Sequence, residues 1–289
     1  MPKILYHYTD AQGLLSMLQS RSIWATDAAF MNDPGELRYG YMLLDKVVRD
    51  SLTGRRARLT LETIQRAIDE KARNARVYVA SFCERDDLLS QWRGYGGLGG
   101  GFAVGFITKY LKPAGAWRTT RQLRPVVYDP KAQMRILSGY VDKWRKDRGN
   151  DIASQHRIGA EVLYLFSDYL MAFKDPSYSE EREWRLIQYG RVVGGAILFP
   201  PSFRVRGAGI VPYASIDVSE NAGALANKLP VADIVCGPAA HRERTAKAIM
   251  QLADSIGYDC EVLDQPGDRR RDATRPRLVI RFSRAPFGG

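Results

Sequence analysis

Ser179-Glu180-Glu181-Arg182-Glu183-Trp184-Arg185-Leu186-Ile187-Gln188-Tyr189 joins a charged segment to a run of strand formers. Its second half is rich in strand formers and stops at Gly190, so an extended conformation is expected in preference to a helix. Successive side chains of a strand alternate faces. Glu181, Glu183 and Arg185 would then share one face, with Trp184 and Leu186 turned to the core on the other. Two readings follow. The set is either a surface strand edge carrying a Glu/Arg ion-pair ladder, or two carboxylates and a guanidinium projecting from a buried strand. In the second case Arg185 partly neutralises the pair, and the like charges raise one carboxylate pKa.

Working outward, 289 residues fit one large domain or one domain with an appendage, and 45% hydrophobic with 26% charged residues is an ordinary globular composition. No apolar run approaches a membrane span, and Met1-Pro2-Lys3-Ile4 leads straight into a strand, so neither a membrane segment nor a signal peptide is expected. Cys83, Cys236 and Cys260 lie far apart without CxxC spacing and read as thiols in a reducing cytoplasm. With only His7, His156 and His241 present, a histidine-rich metal centre is not expected.

The formal charge of +11 suits an anionic partner: nucleic acid, a dinucleotide or an acidic protein surface. The positive charge gathers at Arg55-Arg56-Ala57-Arg58 with Arg66, Lys71, Arg73 and Arg76, at Lys143 to Arg148, and at Arg269-Arg270-Arg271 with Arg275 and Arg277. Each group reads as a solvated face or tail or as a nucleic-acid contact, and none carries a helix-turn-helix, zinc-finger or stacked-aromatic signature.

Along the chain, a first strand is expected over Ile4 to Thr9, and Asp10 caps a helix with Leu14, Leu15 and Leu18 on one side. Ser22 to Thr26 reads as a second strand, Phe30 to Gly35 as a turn, and Glu36 to Asp50 and Leu59 to Arg73 as helices. Strands are expected at Arg76 to Phe82, Phe102 to Phe106 and Pro125 to Tyr128, and helices at Lys131 to Lys146 and Ile152 to Phe173. Further strands fall within Gly207 to Val218 and at Pro230 to Gly237, Asp259 to Leu263 and Leu278 to Phe282, with a helix over Ala239 to Ile256. Gly94 to Gly99 satisfies GxGxxG, but a strand follows it where a dinucleotide fold needs a helix, so it reads as a loop. Strands that outnumber helices without regular alternation predict an α+β fold. Residues 1–264 are expected to form a single domain, with a core over 1–190 and a strand-helix extension over 205–264. Residues 265–289 form a basic tail with room for a last strand.

Tyr6-His7-Tyr8-Thr9, Phe30-Met31-Asn32-Asp33-Pro34, Ser81-Phe82 and Ser90-Gln91-Trp92-Arg93-Gly94-Tyr95 occur in that order. Tyr128, Glu181-Arg182-Glu183-Trp184-Arg185 and Ile234-Val235-Cys236-Gly237-Pro238 follow them. As an ordered set over roughly residues 3–260, they resemble the bacterial domain of unknown function 2971, a family whose name implies no activity.

A more distant resemblance implies chemistry. ADP-ribosyltransferases place a His or Arg on the first strand, a Ser or Tyr motif on a middle strand and a catalytic Glu, often Glu-x-Glu, on a later one. This chain is similar in having His7, then Ser81 and Tyr95, then Glu181-Arg182-Glu183; it lacks Ser-Thr-Ser at the middle motif, and Tyr95 falls in the Gly-rich region. The resemblance implies a split mixed β-sheet flanked by helices, with NAD as substrate and no metal. Glu183 would steady the oxocarbenium ion formed as the nicotinamide-ribose bond breaks, and Glu181 would orient the acceptor. Tyr95 or Trp92 would stack on nicotinamide. His7, with Tyr8 and Thr9, would hold the adenosine ribose or the diphosphate, Ser81 would complete the middle motif, and Arg185 would position Glu183 or a phosphate. The expected activity is transfer of ADP-ribose to a macromolecule, as a toxin or antiphage defence effector. The alternatives are NAD glycohydrolysis and a non-catalytic basic module that binds nucleic acid or a nucleotide.

Overall fold

The computed structural model describes residues 2–31, 35–74, 76–95, 100–112, 120–146, 152–193, 196–206, 209–218, 228–238, 241–263 and 277–285. The Asn32-Asp33-Pro34 turn, Gly96 to Gly99, Asp147-Arg148 and the Arg269-Arg270-Arg271 and Arg275 group lie outside them.

The chain runs β1 (Ile4–Thr9), α1 (Ala11–Ser20), β2 (Ile23–Asp27), α2 (Gly35–Ser51), α3 (Gly54–Asn74), β3 (Val77–Cys83), α4 (Leu89–Tyr95) and β4 (Phe102–Ile107). It continues through α5 (Thr108–Leu111), β5 (Arg121–Pro125), α6 (Pro130–Lys146), α7 (Ile152–Asp168), β6 (Glu183–Tyr189), β7 (Arg191–Val193) and β8 (Ala196–Leu198). Last come β9 (Ser202–Arg206), β10 (Gly209–Ile216), β11 (Val231–Cys236), α8 (Arg242–Ser255), β12 (Cys260–Val262) and β13 (Leu278–Phe282). The fold is α+β with a mixed, open sheet.

The sheet has 11 strands among the described residues, in the order β12-β13-β11-β4-β1-β3-β2-β10-β9, with β6 and β5 built outward from β3. β11 with β13 and β12 with β13 are parallel, and the other pairs are antiparallel. β3 is the branch point. Along one edge it pairs with β6 from Val77↔Tyr189 to Cys83↔Glu183. Along the other, β2 takes Tyr78 and Val79 while β1 takes Cys83, so Ala80, Ser81 and Phe82 face the gap between two diverging limbs.

Leu5, Phe82, Phe106, Leu186 and Ile234 form the main core with α1 and α8. α2, α3, α6 and α7 enclose a second core around Leu44, Ile64, Leu137 and Val162, where the spacing of apolar residues places one stripe of each helix inward. Trp92 of α4, with Leu88 just before the helix, covers the β1 face.

Within residues 179–189 the chain is extended only from Glu183 onward. Asp175 caps a 3₁₀ turn over Pro176–Glu181, and Arg182 then adopts a left-handed conformation, with φ 43°. Glu181 is therefore not on the strand with Glu183, because a capped proline turn outcompetes extension there. β6 lies between β3 and β5, and Arg185 is 1% exposed, so the stretch is an interior strand and not a surface ladder. The strand expected at Pro125 to Tyr128 instead ends at Pro125, which has no N–H to extend a ladder, and beyond it Val127 keeps a single bridge to Phe173. Ser90 to Tyr95 belongs to helix α4, which the flanking glycines hid. β9 and the β7–β8 hairpin were not expected. The last strand, β13, sits inside the sheet between β11 and β12.

Candidate functional site

The fork opens into a cavity of about 770 Å³. Of the residues singled out in the sequence, His7, Tyr8, Thr9, Ser81, Tyr95, Glu181 and Glu183 line it, although the chain separates the first from the last by most of its N-terminal two-thirds. β1 brings the first three, β3 brings Ser81 from the gap itself, and α4 ends on Tyr95. Trp92 and Arg185 do not reach the lining. Trp92 is 4% exposed, donates its indole N–H to Asp87 Oδ1 at 2.8 Å and meets the Tyr8 ring edge-on, so it is a core anchor and not a ligand platform. Tyr8 is also held structurally: its hydroxyl donates to the Arg85 carbonyl and accepts from the Leu88 N–H, each at 3.0 Å.

His7 bridges the gap. Its Nδ1 lies 2.8 Å from the Ser81 carbonyl oxygen, which can only accept, so Nδ1 carries the proton and a neutral ring keeps Nε2 as an acceptor. Burial lowers the imidazole pKa to about 4, and Arg204 and Arg206 push in the same direction, against the bond to Ser81. The ring is uncharged at neutral pH.

Glu183 is a buried anion. Burial favours its neutral form, but Arg185, Lys174 and the Ser81 hydroxyl more than offset that, holding the carboxyl down at about 2. Arg185 grips it bidentately, Nε to Oε1 at 2.8 Å and Nη2 to Oε2 at 3.0 Å, and also donates from Nη1 to the Met171 carbonyl. Lys174, itself 5% exposed, donates to Glu183 Oε2 at 3.2 Å and to Glu181 Oε2 at 2.5 Å. The two glutamates thus meet across one buried ammonium and not along one strand face. The Glu183 N–H donates to the Tyr128 hydroxyl, which fixes where the strand begins. Arg185 therefore acts behind Glu183, as its clamp.

Sequence reasoning missed the opposite wall: Trp24 and Thr26 of β2 and Arg204 and Arg206 of β9 also line the cavity. A period-two signal was present, since Phe203-Arg204-Val205-Arg206 puts both guanidinium groups on one side of a strand. Lys174, one residue past the helix expected to end at Phe173, was missed as well. Burial raises the Cys83 thiol to about 11, which makes it an inert core thiol. Among the described residues no group of three or more His, Cys, Asp or Glu side chains is placed to hold a metal ion, and no helix is long and apolar enough to cross a membrane.

No curated protein and no solved structure matches the chain. One family does, over the third of the sequence that carries Trp92, Tyr95 and both glutamates. Residues 91–186 match the model of DUF2971, described as a protein of unknown function, the family the ordered motifs of the sequence resemble.

Proposed function

We propose that the cavity binds NAD and that the protein transfers ADP-ribose from it to a macromolecular acceptor. The observation that carries this reading is the meeting of His7, Ser81, Tyr95, Glu181 and Glu183 at the fork of the sheet. The volume suits a dinucleotide, since small-molecule sites span roughly 300–1,000 Å³. Breaking the nicotinamide–ribose bond develops positive charge at the anomeric carbon. A carboxylate that is already ionised, already fixed and sheltered from water stabilises that charge without reorganising. Glu183 has these properties. Glu181 is more exposed, with a side chain 23% accessible, and is the carboxylate suited to meet an incoming acceptor. Tyr95 supplies the aromatic face for nicotinamide. Neutral His7 offers Nε2 to a ribose hydroxyl without adding a charge.

The test is nicotinamide release from NAD, with labelled ADP-ribose followed into acceptor. Glu183→Gln should lower release at least a hundredfold while circular dichroism shows the fold retained. Glu181→Gln should lower labelling more than release. Release with no labelled acceptor would make the protein an NAD glycohydrolase. A wild-type protein that neither binds nor consumes NAD, yet binds nucleic acid in a salt-dependent way, would establish the basic binding module instead.

A further inference from the structure

We infer that Arg204 and Arg206 form an anion subsite in the same cavity, built for the diphosphate of a nucleotide. Naming that nucleotide as NAD rests on the function proposed above; the subsite itself rests on the following geometry. Both side chains line the cavity. Arg204 is held rigidly: its guanidinium carbon lies 5.7 Å from the Trp24 ring centre and 5.6 Å from that of Tyr213, and the two rings stack with centroids 4.4 Å apart. Nη2 donates to Thr26 Oγ1 at 2.7 Å. Nε, in contrast, is buried with no hydrogen-bond partner.

A buried, unsatisfied N–H of a charged group is costly. Its neighbour makes the position worse for a cation. Burial and the charge of Arg206 both disfavour the ionised form of Arg204, and the opposing acid it senses, Asp10, is engaged in capping α1 through the Gly13 N–H. Among the described residues no carboxylate forms an ion pair with Arg204 or Arg206. Elsewhere in the molecule Arg185 is matched by Glu183, Lys174 by Glu181 and Glu183, and the partly exposed Arg281 by Asp86 and Asp233, while buried Arg121 donates to the Gln188 side-chain and Asp217 backbone carbonyls.

Two guanidinium groups that no carboxylate among the described residues pairs, one of them pre-oriented against a stacked aromatic pair, complement pairs of phosphate oxygens. Arginine reads such oxygens through paired N–H bonds. Rigidity lowers the entropy lost on binding. The cations beside Glu181 and Glu183 are already matched by these two carboxylates, so Arg204 and Arg206 are the guanidinium groups left for an anion, which gives a bound dinucleotide a single direction. Its diphosphate sits at β9 and its glycosidic bond towards β6.

Isothermal titration calorimetry with inorganic pyrophosphate, ADP-ribose and adenosine tests this, on the full chain and on the Arg204→Met/Arg206→Met variant. ADP-ribose and pyrophosphate should bind the wild-type protein and lose at least tenfold in affinity in the double variant, while adenosine binding changes less than twofold. Should the double variant not fold, Arg206→Met alone, at an exposed position that leaves Arg204 and the Trp24–Tyr213 pair beside it untouched, should cost at least threefold. An ADP-ribose affinity unchanged in these variants, or no binding of either phosphate ligand to the wild type, overturns the subsite. The two ideas fail separately. Pyrophosphate binding that depends on these arginines in a protein that never cleaves NAD keeps the subsite and removes the proposed activity. NAD cleavage with an unaltered KM in the double variant does the reverse.

Discussion

At the scale of single residues, His7 and Glu183 tie stability to acid. His7 titrates at about 4 in the fold against 6.5 when exposed, so the unfolded chain binds the extra proton first as pH falls. Stability from this group is whole above pH 6.5 and is lost between there and about 4, by roughly 3 kcal/mol at most. Glu183, depressed from 4.5 to about 2, extends the loss below that window in the same direction. An Asn at position 7 can keep a donor for the Ser81 carbonyl and cannot titrate. Urea unfolding of His7→Asn should therefore show a flatter pH dependence between 6.5 and 4 than the wild type; an identical slope would mean the ring is not the group responsible. Arg185→Met should cost about 3–5 kcal/mol at pH 7, because Glu183 would stay buried with half its compensation gone. His7 and Glu183 were legible because each sits in a patterned strand with unusual chemistry. Arg204 was not, because a two-arginine alternation next to undetected strand ends looks like any exposed edge.

Elements explain which parts of the fold could be read in advance. β1, β3, β4, β11 and β13 announce themselves through runs of apolar and β-branched residues that both faces of the sheet bury. β5 did not, since Arg121-Gln122-Leu123-Arg124 is mostly polar. It is anchored at one end: Arg121 is 4% exposed and donates to Gln188 Oε1 and to the Asp217 carbonyl, a pairing that only the folded neighbour reveals. α4 was masked by glycines that propensity scores as a loop. β4 carries a glycine with a purpose. At Gly105 a Cβ would fall 1.9 Å from Asp233 Oδ1 and 2.8 Å from Tyr6 Cε1, because the side chains of both neighbouring strands cross above it. Gly105→Ala should thus destabilise by about 1–3 kcal/mol although alanine is the better strand former. A urea midpoint equal to wild type would show that Tyr6 and Asp233 can part without loss.

For the whole molecule, the order of motifs along the chain was readable, but their convergence depends on a branch in the sheet that no local pattern encodes. The fork exists because β1 and β2, adjacent in sequence, share one edge of β3 at opposite ends. Long-range ties brace it, and among the described residues the hydrogen bond of greatest span comes from β13. Arg281 of β13 donates from Nη1 to Asp86 Oδ2 at 2.7 Å, pairs with Asp233 through Nε at 3.0 Å, and reaches the Tyr6 hydroxyl at 3.4 Å. Asp233 is 4% exposed, so it relies on this cation. The C-terminal strand thereby fastens β11 to β1, one wall of the cavity. Arg281→Met should cost about 3–5 kcal/mol by leaving that carboxylate buried and unneutralised. Asp233→Asn in the Arg281→Met background should restore part of the loss, since removing both charges also removes the uncompensated one. Urea unfolding of the two single variants and the double gives the coupling. Additive losses would mean that the ends of the chain are joined by packing alone, and that the charge network beneath the first strand contributes nothing to keeping the fork in place.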